Sequence, residues 1–246
     1  MYFDYINKSP FIIAELSGNH NGSINNIFKL IDESIKAGAD AIKIQTYSPD
    51  TITLDSNNKD FIIQDGPWKK EKLYDLYKKA CTPYGWHKEI FSYAKEKKIK
   101  IFSSPFSEKD ADFLEKIGCE AFKIASFEIT HLPLIEHIAK KKKPILISTG
   151  MATKREIEKA IVTVQKFSNN QLIILHCVSG YPSEPEEANL NKMTKIYNDF
   201  NVDVGLSDHS LTHEVSVVAV SMGAKVVEKH ITLDRSEGGV DSKFSL

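Results

Sequence analysis

Along the chain, short β-branched runs alternate with longer stretches in which apolar residues recur at helical spacing. The runs occupy residues 11–16, 41–46, 100–105, 121–126, 144–149, 172–177, 202–207 and 224–230, and each predicts a strand. Between them Ile27, Leu30, Ile31 and Ile35, and again Ile157, Ile161 and Val164, line one face of a helix whose other face is charged. Strands this uniformly apolar are buried on both faces, the condition of parallel strands under crossover helices. Eight of them in alternation predict an α/β chain closed into a (β/α)8 barrel, the TIM-barrel arrangement. An open doubly wound sheet is the competing topology.

Two segments depart from the alternation. Residues 47–99 are longer than one crossover needs, and Pro49, the Asn57-Asn58 pair and Gly66-Pro67 predict a loop followed by helical pieces around 70–80 and 85–98. After His230, residues 232–246 carry Gly238, Gly239 and several polar residues without amphipathic spacing, so the last covering helix is predicted to be missing. No repeat, low-complexity tract or linker divides the series, and residues 1–246 read as one unit.

Composition narrows the function classes. A chain of 246 residues that is 41% hydrophobic buries roughly 70–75% of its unfolded surface, which excludes a disordered tail or a fibre. Thirty-two basic and 33 acidic residues give a formal charge of −1. No global field therefore draws the chain to nucleic acid or a membrane, and an anionic small ligand must be held by local charge. The longest apolar stretches are too short to cross a bilayer and residues 1–10 lack a signal-peptide pattern, so the expected location is cytoplasmic. Cys81, Cys119 and Cys177 are odd in number and fit neither a disulfide framework nor a zinc ribbon; they read as small packing residues.

Sites in such barrels are built at the C-terminal ends of the strands. Those ends present Glu15, Lys43 with Gln45, Ser104, Lys123 with Ser126, Ser148 with Thr149, His176, the Ser207-Asp208-His209 run, and Glu228 with His230. Any one strand-end serine or histidine is more often a packing residue, but here all eight strands contribute. Lys43 and Lys123 with the hydroxyls of Ser104, Ser126 and Ser148 suit a phosphate. The competing reading pairs both lysines with Glu15 and Glu228 in an internal salt-bridge network.

His209 and His230 follow strands whose axes lie about 4.8 Å apart, so two imidazoles can share one ion. A carboxylate such as Asp241, with substrate or water oxygens, would complete the shell. A hydrogen-bonded pair of core histidines is the plainer alternative. His213 is expected to start a helix, His20 to be a turn residue or a substrate contact, and His87, His131 and His137 to be ordinary helix residues.

The blocks FIIAELSGNHNGS, KIQTY, FSSPFS, FKIASFEI, ISTGM, HCVSGYP, GLSDHS, VEKHITL and GGVDSKFSL stand in order across residues 11–246. Together they resemble the sialic-acid (nonulosonic acid) synthase family over essentially the whole chain. KIASFEI and GGVDSKFSL are more similar to its pseudaminic branch than to the neuraminate enzymes.

The resemblance implies a phosphoenolpyruvate-dependent synthase. In such an enzyme water and a sugar aldehyde carbon add across the enol, and the tetrahedral intermediate loses phosphate by C–O cleavage. Lys43, Ser104, Lys123, Ser126 and Ser148 match positions that hold phosphoenolpyruvate. His209 and His230 match ligands of a divalent metal, Mn2+ or Mg2+, that polarises the aldehyde. Glu15 matches a proton-relaying glutamate, while Gln45, Tyr181, Glu228 and Asp241 match positions lining the sugar or the metal shell. Ser179 stands where neuraminate synthases have asparagine, which implies a deoxy sugar, a 2,4-diacetamido-2,4,6-trideoxy hexose of the altrose type; a neuraminate or legionaminate synthase acting on a mannosamine-type sugar is the alternative. The family continues past a segment like FSL into a last helix and an antifreeze-like domain that reaches a partner subunit. This implies a truncated barrel, a homodimer and exposed apolar faces on the eighth and first strands. Two further classes stay open: a Schiff-base aldolase using Lys123, and a non-catalytic barrel serving as a binding or assembly module.

Overall fold

The computed structural model describes residues 2–3, 6, 9–167 and 171–246. Eight parallel strands form a closed barrel in sequence order: β1 (Phe11–Glu15), β2 (Ala41–Thr46), β3 (Lys100–Pro105), β4 (Phe122–Ile124), β5 (Ile145–Ser148), β6 (Leu172–Cys177), β7 (Asp203–Asp208) and β8 (Val226–His230), with β8 pairing back onto β1. Closure decides between the two topologies read from the sequence in favour of the barrel. β4 is shorter than its apolar run because Ser126–Thr130 turns into a 3-10 helix directly after Ile124.

The crossovers supply helices α1 (Ile24–Lys36), α2 (Pro49–Ile52), α3 (Leu73–Ala80), α4 (Tyr84–Glu96), α5 (Glu108–Lys116), α6 (Leu132–Ala139), α7 (Lys154–Gln165), α8 (Asn191–Phe200) and α9 (Glu214–Ser221). Their apolar stripes face the strands: Ile27, Leu30 and Ile31 of α1, and Ile157, Ile161 and Val164 of α7, are buried. Thr153 starts α7 with a reciprocal cap, its hydroxyl accepting from the Glu156 amide while the Glu156 carboxylate accepts from the Thr153 amide. As read from the sequence, α9 begins just after His213. His87 is more than an ordinary helix residue: its Nε2 lies 2.8 Å from the Thr46 hydroxyl, which lies 2.6 Å from that of Ser103, tying α4 to β2 and β3.

Alternation along the strands sets two faces. Inward positions are apolar at the N-terminal end, where the rings of Tyr2 and Phe3 pack edge-on against Phe102 and Phe11, with centroids 6.0 and 5.1 Å apart. They turn polar at the C-terminal end. After β8, the described residues make two 3-10 turns, Arg235–Glu237 and Ser242–Phe244, instead of a covering helix. The expectation of exposed first and eighth strands is not met. All of β8 and all of β1 except half-buried Ile12 are buried, because α9 packs against β7 and β8; exposed apolar surface appears instead at Val217 and Val218 of α9.

Candidate active site

Inward side chains at the C-terminal ends converge on a buried charge cluster. Glu15 of β1 stands opposite Lys43 of β2 in the ladder, and its Oε2 lies 2.7 Å from Lys43 Nζ. Glu228 of β8 reaches the same centre: its Oε1 is 3.5 Å from Lys43 Nζ and 3.3 Å from Lys123 Nζ, and accepts from the Ser207 hydroxyl at 3.0 Å. Lys43 Nζ is also 3.5 Å from Ser104 Oγ. The lysines are thus paired as the salt-bridge reading foresaw, and of the hydroxyls in the phosphate reading Ser104 lies within reach of Lys43.

Burial governs the ionisation of these groups. It pushes the Glu15 carboxyl up to about 7, against the lowering influence of Lys43, and the charge of Glu228 adds to the rise. Burial acts in the same direction on Glu228, but Lys123 and Lys43 outweigh it and hold that carboxyl well below the usual range. Lys123 is lowered by burial, only partly offset by Glu228, whereas the two carboxylates keep Lys43 raised. Near neutral pH Glu228 is ionised while Glu15 is partly protonated, so the two lysines face less than two full carboxylate charges, a setting that suits an added anion.

Several buried polar atoms here have no hydrogen-bond partner: Glu15 Oε1, Glu228 Oε2, Ser148 Oγ, Ser179 Oγ and His230 Nδ1. Buried polar groups are ordinarily satisfied, so this concentration marks a place built for something else to bind. Gly150 supports the same conclusion. It has φ +32°, and a Cβ there would lie 2.5 Å from Ser126 Cβ and 2.7 Å from Ser179 Oγ, so the absent side chain leaves room between two hydroxyls.

His209 and His230 end with ring centroids 5.3 Å apart. His209 Nδ1 lies 2.8 Å from the Val178 carbonyl oxygen, an acceptor, so Nδ1 carries the proton and Nε2 is left as a free lone pair. Burial lowers both imidazoles, that of His230 well below the ordinary value with help from His209 and Lys43. Two neutral, incompletely partnered imidazoles fit part of a divalent-cation shell. Among the described residues no third His, Cys, Asp or Glu completes a cluster, so the remaining positions would fall to substrate or water. Asp241 is engaged elsewhere: it accepts from the Gly18 amide at 3.0 Å and from the Ser17 hydroxyl, fastening residues 232–246 to the loop after β1.

Above the cluster a cavity of about 600 Å³ is lined by Gln45, Ser179, Tyr181, His230 and Asp241, together with Trp68 and Phe244. Gln45 donates to the Ser17 hydroxyl at 3.1 Å. Tyr181 stacks obliquely on His209 at 4.5 Å, and the buried ring of Phe244 sits 4.9 Å from that of His230.

Not every strand-end residue joins. His176, Thr149 and Asp208 take outward positions: His176 Nε2 bonds the Ala188 carbonyl at 2.7 Å, and Thr149 bonds that of Leu175. His20 is a turn residue, accepting from the Gly22 amide and donating to the Ala80 carbonyl. Sequence reading missed Glu128, whose Oε2 is buried and unpartnered and whose carboxyl burial raises to about 7. It stands two residues past Ser126, and only the 3-10 turn after β4 reveals the burial of its carboxyl oxygen. Phe244 and Trp68 were missed as well, because they gain meaning only from the path of residues 232–246.

A closed parallel barrel whose C-terminal mouth gathers buried carboxylates, ammonium groups and neutral imidazoles is the architecture of a (β/α)8-barrel enzyme. The NeuB family matches residues 30–246, and the chain belongs to that family. It is 50% identical over 239 residues to a pseudaminic acid synthase of Campylobacter jejuni, covering 97% of this chain and 70% of that protein. It is 45% identical, with the same coverage, to the pseudaminic acid synthase of Helicobacter pylori. Among solved structures, the N-acetylneuraminic acid synthetase of Leptospira borgpetersenii superposes with a TM-score of 0.86 at 33% identity, covering 97% of this chain and 79% of that one.

Proposed function

We propose that residues 1–246 are the condensing barrel of a pseudaminic acid synthase, joining phosphoenolpyruvate to a 2,4-diacetamido-2,4,6-trideoxy hexose of the altrose type and releasing phosphate. The observation that carries this reading is the pair of buried lysines, Lys43 and Lys123, at the same barrel mouth as the unpartnered hydroxyls of Ser148 and Ser179. The identity of 50% to a pseudaminic acid synthase, against 33% to the neuraminic acid synthetase, favours the trideoxy sugar over a mannosamine-type one.

Lys43, Lys123, Ser104, Ser126 and Ser148 hold the phosphate and carboxylate of phosphoenolpyruvate, and Gly150 lets the hydroxyls close around them. The new carbon–carbon bond forms between the enol methylene and the sugar aldehyde carbon. A water oxygen adds to the central carbon, and the bond from that carbon to the phosphate oxygen then breaks. Glu15, poised to exchange a proton near neutral pH, gives one to the developing alkoxide or takes one from the water. His209 and His230 would hold a divalent cation, Mn2+ or Mg2+, which would supply Lewis acidity toward the aldehyde oxygen. Gln45, Ser179, Tyr181 and Asp241 line the sugar side, and Glu228, read from the sequence as a sugar-side residue, lies beneath them between the two lysines.

No helix of the described residues is long and apolar enough to cross a membrane; a cytoplasmic enzyme acting on small molecules remains the proposal made from the sequence. The exposed valines of α9 suit a homodimer. The test is phosphate release and product mass with phosphoenolpyruvate, the trideoxy aldehyde and Mn2+. Product at the expected mass, abolished by chelator, is the outcome expected; absence of both turnover and phosphoenolpyruvate binding by calorimetry refutes the reading. The lowered ionisation of Lys123 is the one observation favouring a Schiff-base aldolase, and borohydride trapping of a chelator-insensitive lysine adduct would establish that instead.

A further inference from the structure

One buried ion pair lies outside the chemistry described above. In the ladder between β7 and β8, Asp208 stands opposite Lys229, one step before His209 and His230 on the same two strands. Alternation sends these two side chains to the outer face of the barrel while the histidines point inward. Elsewhere the outward positions of these strands are apolar, as at Leu206 and Val227, and both are buried. A buried ion pair adds little net stability over an apolar one. Stability alone therefore does not account for charges here.

The bonds of the pair converge on the backbone around His209. Lys229 Nζ donates to Asp208 Oδ2 and to the Ser210 carbonyl, each at 2.7 Å, so one ammonium grips the residues on both sides of His209. Asp208 Oδ1 accepts from the Ser210 amide at 2.9 Å, and its Oδ2 accepts from the Ser216 hydroxyl of α9 at 2.6 Å. The ring of His209 has its own tie to Val178, but His230 Nδ1 has no partner. The placement of His230 relative to His209 therefore depends on how firmly β8 is held to the end of β7.

We propose that Asp208 and Lys229 are positioning residues that set the separation of His209 and His230 from behind the strands; the inference rests on the reading of that pair as a cation site. Donor atoms of a metal site must fall within about 0.2 Å of their places. Losing an outer partner of this kind weakens metal binding by about 10–100-fold.

The experiment measures Mn2+ binding by the paramagnetic resonance signal of the free ion, using the full chain and the variants K229M and D208N/K229M. The double variant removes both charges, so neither is stranded if K229M alone fails to fold. The expected result is a Kd for Mn2+ raised about 10–100-fold, with phosphoenolpyruvate affinity in metal-free protein unchanged. In metal-free 15N-labelled protein, the imidazole resonances of His209 and His230 should shift while those of His87 stay in place. Wild-type Mn2+ affinity in a folded variant overturns the proposal, as does an equal loss of phosphoenolpyruvate binding, which would indicate general damage. Wild-type protein that binds no Mn2+ overturns the cation reading itself and this inference with it.

Discussion

Replacing Glu228 with Gln removes one charge from the buried cluster while keeping its shape, and the structure allows the effect to be sized. Glu228 Oε1 lies 3.3 Å from Lys123 Nζ and 3.5 Å from Lys43 Nζ. At an effective dielectric constant of about 20, each such contact is worth about 5 kcal/mol before desolvation. Deleting one partner of a buried pair costs about 3–5 kcal/mol net, because the remaining charge is stranded. For a chain of this size that corresponds to about 6–20 °C in Tm. Under the proposed function phosphoenolpyruvate brings its own negative charges to the same two lysines, so it should repair part of the damage. Differential scanning calorimetry with and without phosphoenolpyruvate should show a lower Tm for unliganded E228Q and a larger ligand-induced rise than in wild type. E228Q melting at the wild-type temperature, or gaining no more from phosphoenolpyruvate than wild type does, would refute the charge-deficit account of the site.

Three further outcomes follow from the same geometry. Glu15 and Glu128 both titrate near 7 in the folded chain against an ordinary 4.5; across that window the folded state holds protons that the unfolded state has released, so stability falls as pH rises, by about 3 kcal/mol per group. Urea unfolding at about pH 5 and about pH 8 should show this decline in wild type and a shallower one in E15Q/E128Q. Alanine at Gly150 forces Ser126 and Ser179 apart, which should weaken phosphoenolpyruvate binding by at least about 10-fold, the loss of one hydrogen bond to a charged group; calorimetry returning wild-type affinity would place the phosphate elsewhere. Truncating the buried ring in F244A should cost about 3–5 kcal/mol in chemical denaturation, since Phe244 packs on His230, Tyr181 and Trp68.

Much of the architecture was legible because parallel barrel strands are apolar on both faces and stand out as β-branched runs. Every predicted strand is present, with β4 trimmed where Ser126 begins a 3-10 turn. The site was legible to the extent that strand alternation could be inferred. Lys43, Lys123 and Glu228 meet as their positions suggested, but the strand-end list mixed the two faces, and His176, Thr149 and Asp208 turned out to face outward. His176 and Asp208 keep to their ladders, so it is the alternation of faces, applied residue by residue, that separates them from their inward neighbours Cys177 and Ser207. Residues 232–246 were harder still. They lack periodicity because they are held by individual bonds, such as Trp68 Nε1 to the Val240 carbonyl at 2.7 Å and the Leu246 amide to the His230 carbonyl at 2.9 Å, and no local pattern announces partners so distant in sequence.

Among the described residues, the aromatic stopper made by Tyr2, Phe3, Phe11 and Phe102 closes the N-terminal end of the cylinder. If phosphoenolpyruvate seats on the floor, as proposed, it enters before the sugar that rests above it, and the phosphate freed at the bottom leaves after the larger product.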